Sequence, residues 1–353
     1  MVGQGLALLS LDGGGVRGLS SLYILKDLLE RIAEEKGLSE IPKPCDYFDM
    51  IGGTSTGGLI AIMLGHLRLS VDDCISAYLK ISRSVFTRIR RFPISVGVRN
   101  KSGELRGTFD SLMLEKAVKD TLKEHDFDEE ALLYDRNVSP GCKVFVCALQ
   151  SEITTPVLFR NFKGKRMMDS DRLKYTKVWQ AARATSAASG FFDPLVIRMG
   201  ENPGYNETYT DGATGCNNPV RQLWNEACDM FLGEQERLED HLDCIISIGT
   251  GKPSIEAFGS HFLEVAKALV RISTETDNTA GDFQWQHRAL GDQGRYCRLT
   301  VDNGLQDVGL EEYEKADRII AATKAYLNLP DTIAKLMKCT KTMREHQCES
   351  NFA

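Results

Sequence analysis

Residues 6–11 read Leu-Ala-Leu-Leu-Ser-Leu and run without a break into Asp12-Gly13-Gly14-Gly15-Val16-Arg17-Gly18. A short, nearly continuous apolar run stopped by a glycine turn is the pattern of a strand buried on both faces, which requires a sheet with helices packed above and below. Directly afterwards Leu22, Leu25, Leu28, Leu29 and Ile32 fall at helical spacing. The first unit is therefore strand, glycine loop, helix. The order repeats: a strand is predicted over 47–52, then Gly53-Thr54-Ser55-Thr56-Gly57, then an apolar helix over 57–64. Further strands are expected at 144–148, 157–159, 195–198 and 244–249, and helices at 112–122, 178–188, 218–231 and 313–326. Such alternation predicts an α/β fold of three layers, α/β/α, around a central mostly parallel sheet. We expect one domain over residues 1–338 and a frayed tail over 339–353. The only lapse in the pattern is near 252–290, where Gly, Ser and Thr accumulate.

The chain has 353 residues, 42% hydrophobic and 26% charged, enough for a large core. Its net charge of −6 argues against a nucleic-acid binder, which is ordinarily basic. No apolar run approaches the ~18–20 residues that span a bilayer. The N-terminal run is too short for a secretory signal, and Val2 stands where N-myristoylation needs glycine. The ten cysteines include no C-x-x-C pair. They read as reduced core thiols in a cytoplasmic protein.

Acyl transfer requires an exposed nucleophile and a separate set of backbone donors for the oxyanion. The pentapeptide around Ser55 has the G-x-S-x-G form of a sharp strand-to-helix elbow, with Gly53 and Gly57 where a Cβ would clash. The upstream loop supports two readings. Gly13, Gly15 and Gly18 fit the G-x-G-x-x-G dinucleotide fingerprint, but that needs an acid at the end of the next strand, and Glu34 and Glu35 lie on the first helix instead. Alternatively, the successive N–H groups of Gly13, Gly14 and Gly15 form an anion cradle, which beside Ser55 becomes an oxyanion hole. None of the six histidines sits in a strand-end turn, so no triad base stands out. Asp211, in Tyr209-Thr210-Asp211-Gly212-Ala213, is an acid in a tight glycine turn.

These three motifs in order, Asp12 to Gly18, Gly53 to Gly57 and Asp211-Gly212-Ala213, resemble the patatin-like phospholipase family. Residues 181–188 (Ala-Ala-Arg-Ala-Thr-Ser-Ala-Ala), Asn217-Asn218-Pro219 and Ile246 to Gly251 are similar to further family segments, and 296–327 resembles the tail of its fungal members. Gly190 stands where relatives often have proline. The resemblance implies a histidine-free dyad, with Ser55 as nucleophile and Asp211 as general base. It also implies an oxyanion hole from Gly13, Gly14 and Gly15, Gly212 in the turn after the base, and no need of metal or nucleotide. Arg17 would help neutralise a phosphate or oxyanion, or form a salt bridge within its own loop. The expected function is hydrolysis of acyl esters of glycerophospholipids or lysophospholipids. A lipid-binding or signalling module cut from a larger receptor-like protein is the alternative, and intact Ser55 and Asp211 weigh against it.

Residues 83–106 carry Arg83, Arg88, Arg90, Arg91, Arg99, Lys101 and Arg106 interleaved with Val85, Phe86, Ile89, Phe92 and Ile94. A basic, partly apolar stretch can dock peripherally on an anionic membrane, each charge contributing ~1 kcal/mol. Replacing Arg88, Arg90 and Arg91 with Gln is expected to lower binding to anionic liposomes while sparing hydrolysis of a soluble ester. Unchanged sedimentation with the liposomes would refute it.

Overall fold

In the computed structural model, residues 5–86, 107–165, 170–201, 203–251 and 263–342 are described, the last range by side chain from 275 onward. The expected membrane-docking stretch lies outside the described residues from 87 to 106.

Eight strands form one sheet: β1 (Leu6–Leu11), β2 (Met50–Thr54), β3 (Lys143–Gln150), β4 (Thr155–Arg160), β5 (Leu195–Met199), β6 (Tyr205–Asp211), β7 (Leu242–Ile248) and β8 (Tyr296–Leu299). The order is β5-β6-β3-β2-β1-β7-β8, with β4 also paired to β3. The run β3-β2-β1-β7-β8 is parallel throughout, while β4, β6 and β5 join antiparallel. The sheet is thus mixed, with its parallel part at the glycine loops.

Alternate residues of the parallel strands feed two cores, as their period of two dictates. Leu9, Leu11, Ile51, Val144, Val146 and Ile246 pack under helices that include Gly18–Lys36, Val71–Val85, Ser111–Glu124 and Ala316–Leu327. Leu8, Met50, Phe145, Cys147 and Ile245 face Val220–Phe231 and Phe283 of the helix Leu263–Gln286. Burial on both faces explains why β1 and β7 are nearly continuous apolar runs.

Three expectations need correction. The predicted strand 47–52 begins later: Pro44, with its preset φ, opens a turn of helix (Pro44–Tyr47), and β2 starts only at Met50. The tail expected to fray from 339 is helical through Thr342 (Pro330–Thr342), because Leu336 and Cys339 are buried in the first core. Residues 343–353 lie outside the described residues. Part of the lapse near 252–290 is the long helix Leu263–Gln286. No disulfide joins the cysteines among the described residues, and no described helix is long and apolar enough to cross a membrane.

The sheet positions the site through β3. Residues 145–147 of β3 pair with β2 and with β4, so those two strands flank opposite edges. Residues 148–150 pair with β4 and with β6. Hence β6 occupies the same edge of β3 as β2, continuing where β2 stops. Thr54, the last residue of β2, lies opposite Cys147, and Asp211, the last residue of β6, lies opposite Ala148. The two strands run head-on into each other, which brings residues 55 and 211 together from 156 positions apart.

Candidate active site

Ser55 leaves β2 and opens the helix Thr56–Ala61 with φ 52° and ψ −123°. Only a few per cent of non-glycine residues take positive φ, and a nucleophile elbow is where such strain is expected. The flanking glycines have a steric reason. A Cβ on Gly53 would stand 2.1 Å from the carbonyl oxygen of Gly57, and one on Gly57 would stand 2.2 Å from that of Leu11. Gly57 thus lets the elbow press against the root of the Asp12–Gly18 loop.

The Ser55 Oγ donates to Asp211 Oδ2 at 2.6 Å. Asp211 Oδ1 accepts from the Ala213 N–H at 2.7 Å, so the carboxylate is held at both oxygens. Gly212 makes this turn possible, since a Cβ there would meet the Cys147 carbonyl oxygen at 2.5 Å. Burial pushes the Asp211 carboxyl up to about 7, outweighing the opposing hydrogen bonds from Ser55 and the Ala213 amide. Among the described residues no histidine hydrogen-bonds to Ser55 or Asp211 or lines the cleft beside them. His66, behind the elbow, is lowered to about 4 by burial and lies against Phe127.

The glycine loop is tied down by its carbonyls. That of Gly13 accepts from Thr250 Oγ1 at 2.9 Å and Asn217 Nδ2 at 3.4 Å; that of Gly15 accepts from Thr56 Oγ1 at 3.0 Å and Tyr78 Oη at 2.5 Å. The Gly14 carbonyl accepts from the Arg17 N–H at 3.2 Å. In a planar trans peptide the N–H points opposite to the carbonyl, so holding the Gly13 and Gly14 carbonyls aims the N–H groups of Gly14 and Gly15 the other way. Those two amides meet no acceptor among the described residues. Gly13 requires a correction: its N–H donates to the Asn217 carbonyl at 3.2 Å and is not available to an oxyanion.

Arg17 is buried at 4% exposure, and its Nε and Nη1 meet no acceptor among the described residues, so it forms no salt bridge within the loop. Burial lowers it to about 10, which leaves it cationic at neutral pH.

Ser55 opens into a cleft of ≈ 540 Å³ including its mouth. The walls are mainly apolar: Leu59, Ile81, Val85, Phe86, Leu114, Phe191, Phe192 and Leu310, with Gly15 and Thr56 near the serine. Thr108 and Phe109 hydrogen-bond to the Gly190 and Phe191 carbonyls, and Arg183 Nη2 holds the Asp193 carbonyl at 2.7 Å, which fixes the phenylalanine wall.

Thr185 is a further site residue. Its Oγ1 accepts from the Ser55 N–H at 2.9 Å and donates to the Cys147 carbonyl at 2.6 Å. Two residues on, the Ala187 carbonyl accepts from the Asp211 N–H at 3.0 Å. One short segment therefore grips both ends of the strand junction. Thr185, Asn217 and Thr250 all lie in the segments 181–188, 217–219 and 246–251 that resemble the family, but residue type alone assigns them no role. Tyr78 and Leu310 carried no such signal. Thr185→Val would leave a buried N–H and C=O unpaired, at about 1–3 kcal/mol. We expect kcat to fall roughly tenfold or more with KM little changed, and Thr185→Ser to restore it; wild-type kcat in a folded Thr185→Val protein would rule the role out.

Residues 9–224 match the model of the family described as patatin-like phospholipase. The chain is 31% identical over 257 residues to the calcium-independent phospholipase A2-gamma of Homo sapiens, covering 71% of this chain and 29% of that protein. It is 27% identical over 330 residues to phospholipase A I of Arabidopsis thaliana, covering 78% of this chain and 23% of the other. Patatin-like protein 1 of the same plant is 27% identical over 278 residues, with 72% and 61% covered. The chain spans less than a third of the length of the two phospholipases. The family match contains the glycine loop, the elbow and the Asp211 turn, and it takes in more than half of the 353 residues. This chain belongs to the patatin-like phospholipase family.

Proposed function

We propose that this chain is a lipid acyl hydrolase of the phospholipase A type, cleaving acyl esters of glycerophospholipids or lysophospholipids through Ser55 and Asp211. The observation that carries the reading is the 2.6 Å hydrogen bond between the Ser55 hydroxyl and a buried carboxylate raised to about 7. An ordinary aspartate, near 3.9, is too weak a base for a serine hydroxyl. Burial supplies the missing basicity. The apolar cleft suits an acyl chain, and relatives of this chain are named as phospholipases.

In the first half-reaction Asp211 takes the Ser55 proton while Oγ bonds to the acyl carbonyl carbon. The carbonyl oxygen becomes an oxyanion facing the Gly14 and Gly15 amides, where each donor contributes ~3–4 kcal/mol in comparable sites. Collapse breaks the bond to the alcohol oxygen, which takes the proton from Asp211 and leaves as lysolipid or glycerol derivative. Water then gives its proton to Asp211 and attacks the acyl-enzyme. Collapse returns that proton to Ser55 Oγ and frees the fatty acid. The Arg17 cation adds positive potential at the loop. Contact with a membrane surface through 83–106 belongs to the same proposal, as does a fungal-type assignment from the likeness of 296–327.

Defined phospholipids offered to the wild type, Ser55→Ala and Asp211→Asn should be hydrolysed by the wild type alone, with losses of about 10³-fold or more in the variants. Equal rates in all three would end the dyad reading. Because Asp211 must be ionised to act, kcat/KM should rise with pH through about 7 and then level; an inflection near 4 would contradict it. The stability sign runs opposite. A carboxyl raised on folding stabilises below its unfolded value, and that contribution is lost as pH climbs through about 7. Asp211→Asn should therefore melt no lower than wild type at pH values above 7, as read by calorimetry.

A further inference from the structure

The glycine loop is gripped by a part of the chain that lies beyond the family match. Asp12, at the loop's root, is 1% exposed by side chain, and its two carboxylate oxygens accept from Arg298 Nη1 at 3.0 Å and Nη2 at 2.5 Å. Arg298 sits on β8, two strands away, with β7 between. The register shows how it reaches. Ser10, Ser247 and Arg298 lie side by side across β1, β7 and β8, and Asp12 is two residues past Ser10, on the same face. The intervening strand presents only small residues along that path. Ser247 accepts from Arg298 Nη1 at 2.9 Å, and a Cβ on Gly249 would stand 2.8 Å from Nη2. A larger side chain at 247 or 249 would block the guanidinium, so Ser247 of β7 and Gly249, just past its end, form a groove for it.

The other end of the loop is held from the same region. The Val16 N–H donates to the Leu310 carbonyl at 2.8 Å, a Cβ on Gly15 would lie 2.3 Å from that oxygen, and Leu310 also lines the cleft. The loop between these anchors carries the two unengaged amides of Gly14 and Gly15. A bidentate arginine fork fixes a carboxylate in orientation as well as distance, which a lysine's point charge does not.

We infer that Arg298 is a positioning residue for the oxyanion loop. It acts through Asp12, so that the segment from β8 to Leu310, outside residues 9–224, is a working part of the site. The catalytic consequence rests on the hydrolase reading above; the positioning itself does not. Two variants separate geometry from stability. Arg298→Lys keeps the charge and removes the fork. Asp12→Asn with Arg298→Met removes both charges, so no unpaired ion is left buried.

The test is hydrogen exchange of the peptide spanning 12–18, alongside kcat and KM on a soluble ester and the rate of Ser55 labelling by a fluorophosphonate. We expect faster exchange at the Gly13 and Val16 amides in both variants. In the variants kcat and labelling should drop about tenfold or more, KM should stay within about twofold, and Arg298→Lys should lie between wild type and the double variant. Wild-type exchange at 12–18 in either folded variant overturns the inference, whatever the hydrolysis result. Faster exchange with unchanged kcat and labelling overturns its catalytic part. A wild type that neither labels at Ser55 nor hydrolyses ester counts against the hydrolase reading, and the exchange result still decides the positioning. If the double variant does not fold, Arg298→Lys decides alone.

Discussion

Everything chemical in this molecule depends on two strands sharing one edge of β3. β2 arrives parallel and stops opposite Cys147; β6 arrives antiparallel and stops opposite Ala148. A sheet edge offers a fixed ladder of hydrogen-bonding groups, so adjacent rungs place the two strand ends within a residue's spacing of each other. The junction interrupts the ladder, and Thr185 and Ala187 supply the missing partners for Ser55, Cys147 and Asp211. The serine-to-carboxylate distance is thereby a property of the sheet, more rigid than a contact between two loops would be.

Burial is the second constraint, and it works on the same residue in two directions. Enclosing Asp211 under the junction raises the affinity of its carboxylate for a proton, which is what a base for serine needs. The same enclosure makes the ionised form unfavourable, so the state proposed to act as base is the less stable one. Two fixed hydrogen bonds, from Ser55 and from the Ala213 amide, temper that opposition and keep the group near neutrality. A solvated aspartate would be too weak a base to take the serine proton directly.

The sequence was informative wherever one residue type had a steric or chemical monopoly. Gly53, Gly57 and Gly212 were legible because a backbone atom lies where their Cβ would be. β1 and β7 were legible because both faces are buried. β6 has no legible strand pattern: it joins antiparallel beside the edge strand β5, and its first residues are exposed. β8, only four residues long, has too little pattern to stand out. Gly13 misled, since glycine at 13 answers to Asn217 Oδ1 and Ser55 Cβ close by, and its amide is engaged elsewhere. Arg298 was invisible because its partner is 286 residues away and nothing local marks it.

The contact of Gly57 with the carbonyls of Leu11 and Asp12 has one more consequence. The close approach seats the elbow at Ser55 directly against the glycine loop, so a side chain at 57 would push the two apart. The apolar side wall stands apart from that contact, with Leu114, Phe86, Phe191 and Phe192 on helix ends and a turn. On the proposed hydrolase reading, selectivity would be carried by a part of the cleft separate from Ser55 and Asp211. The wall can then be remodelled by substitution without touching the packing of the elbow against the loop.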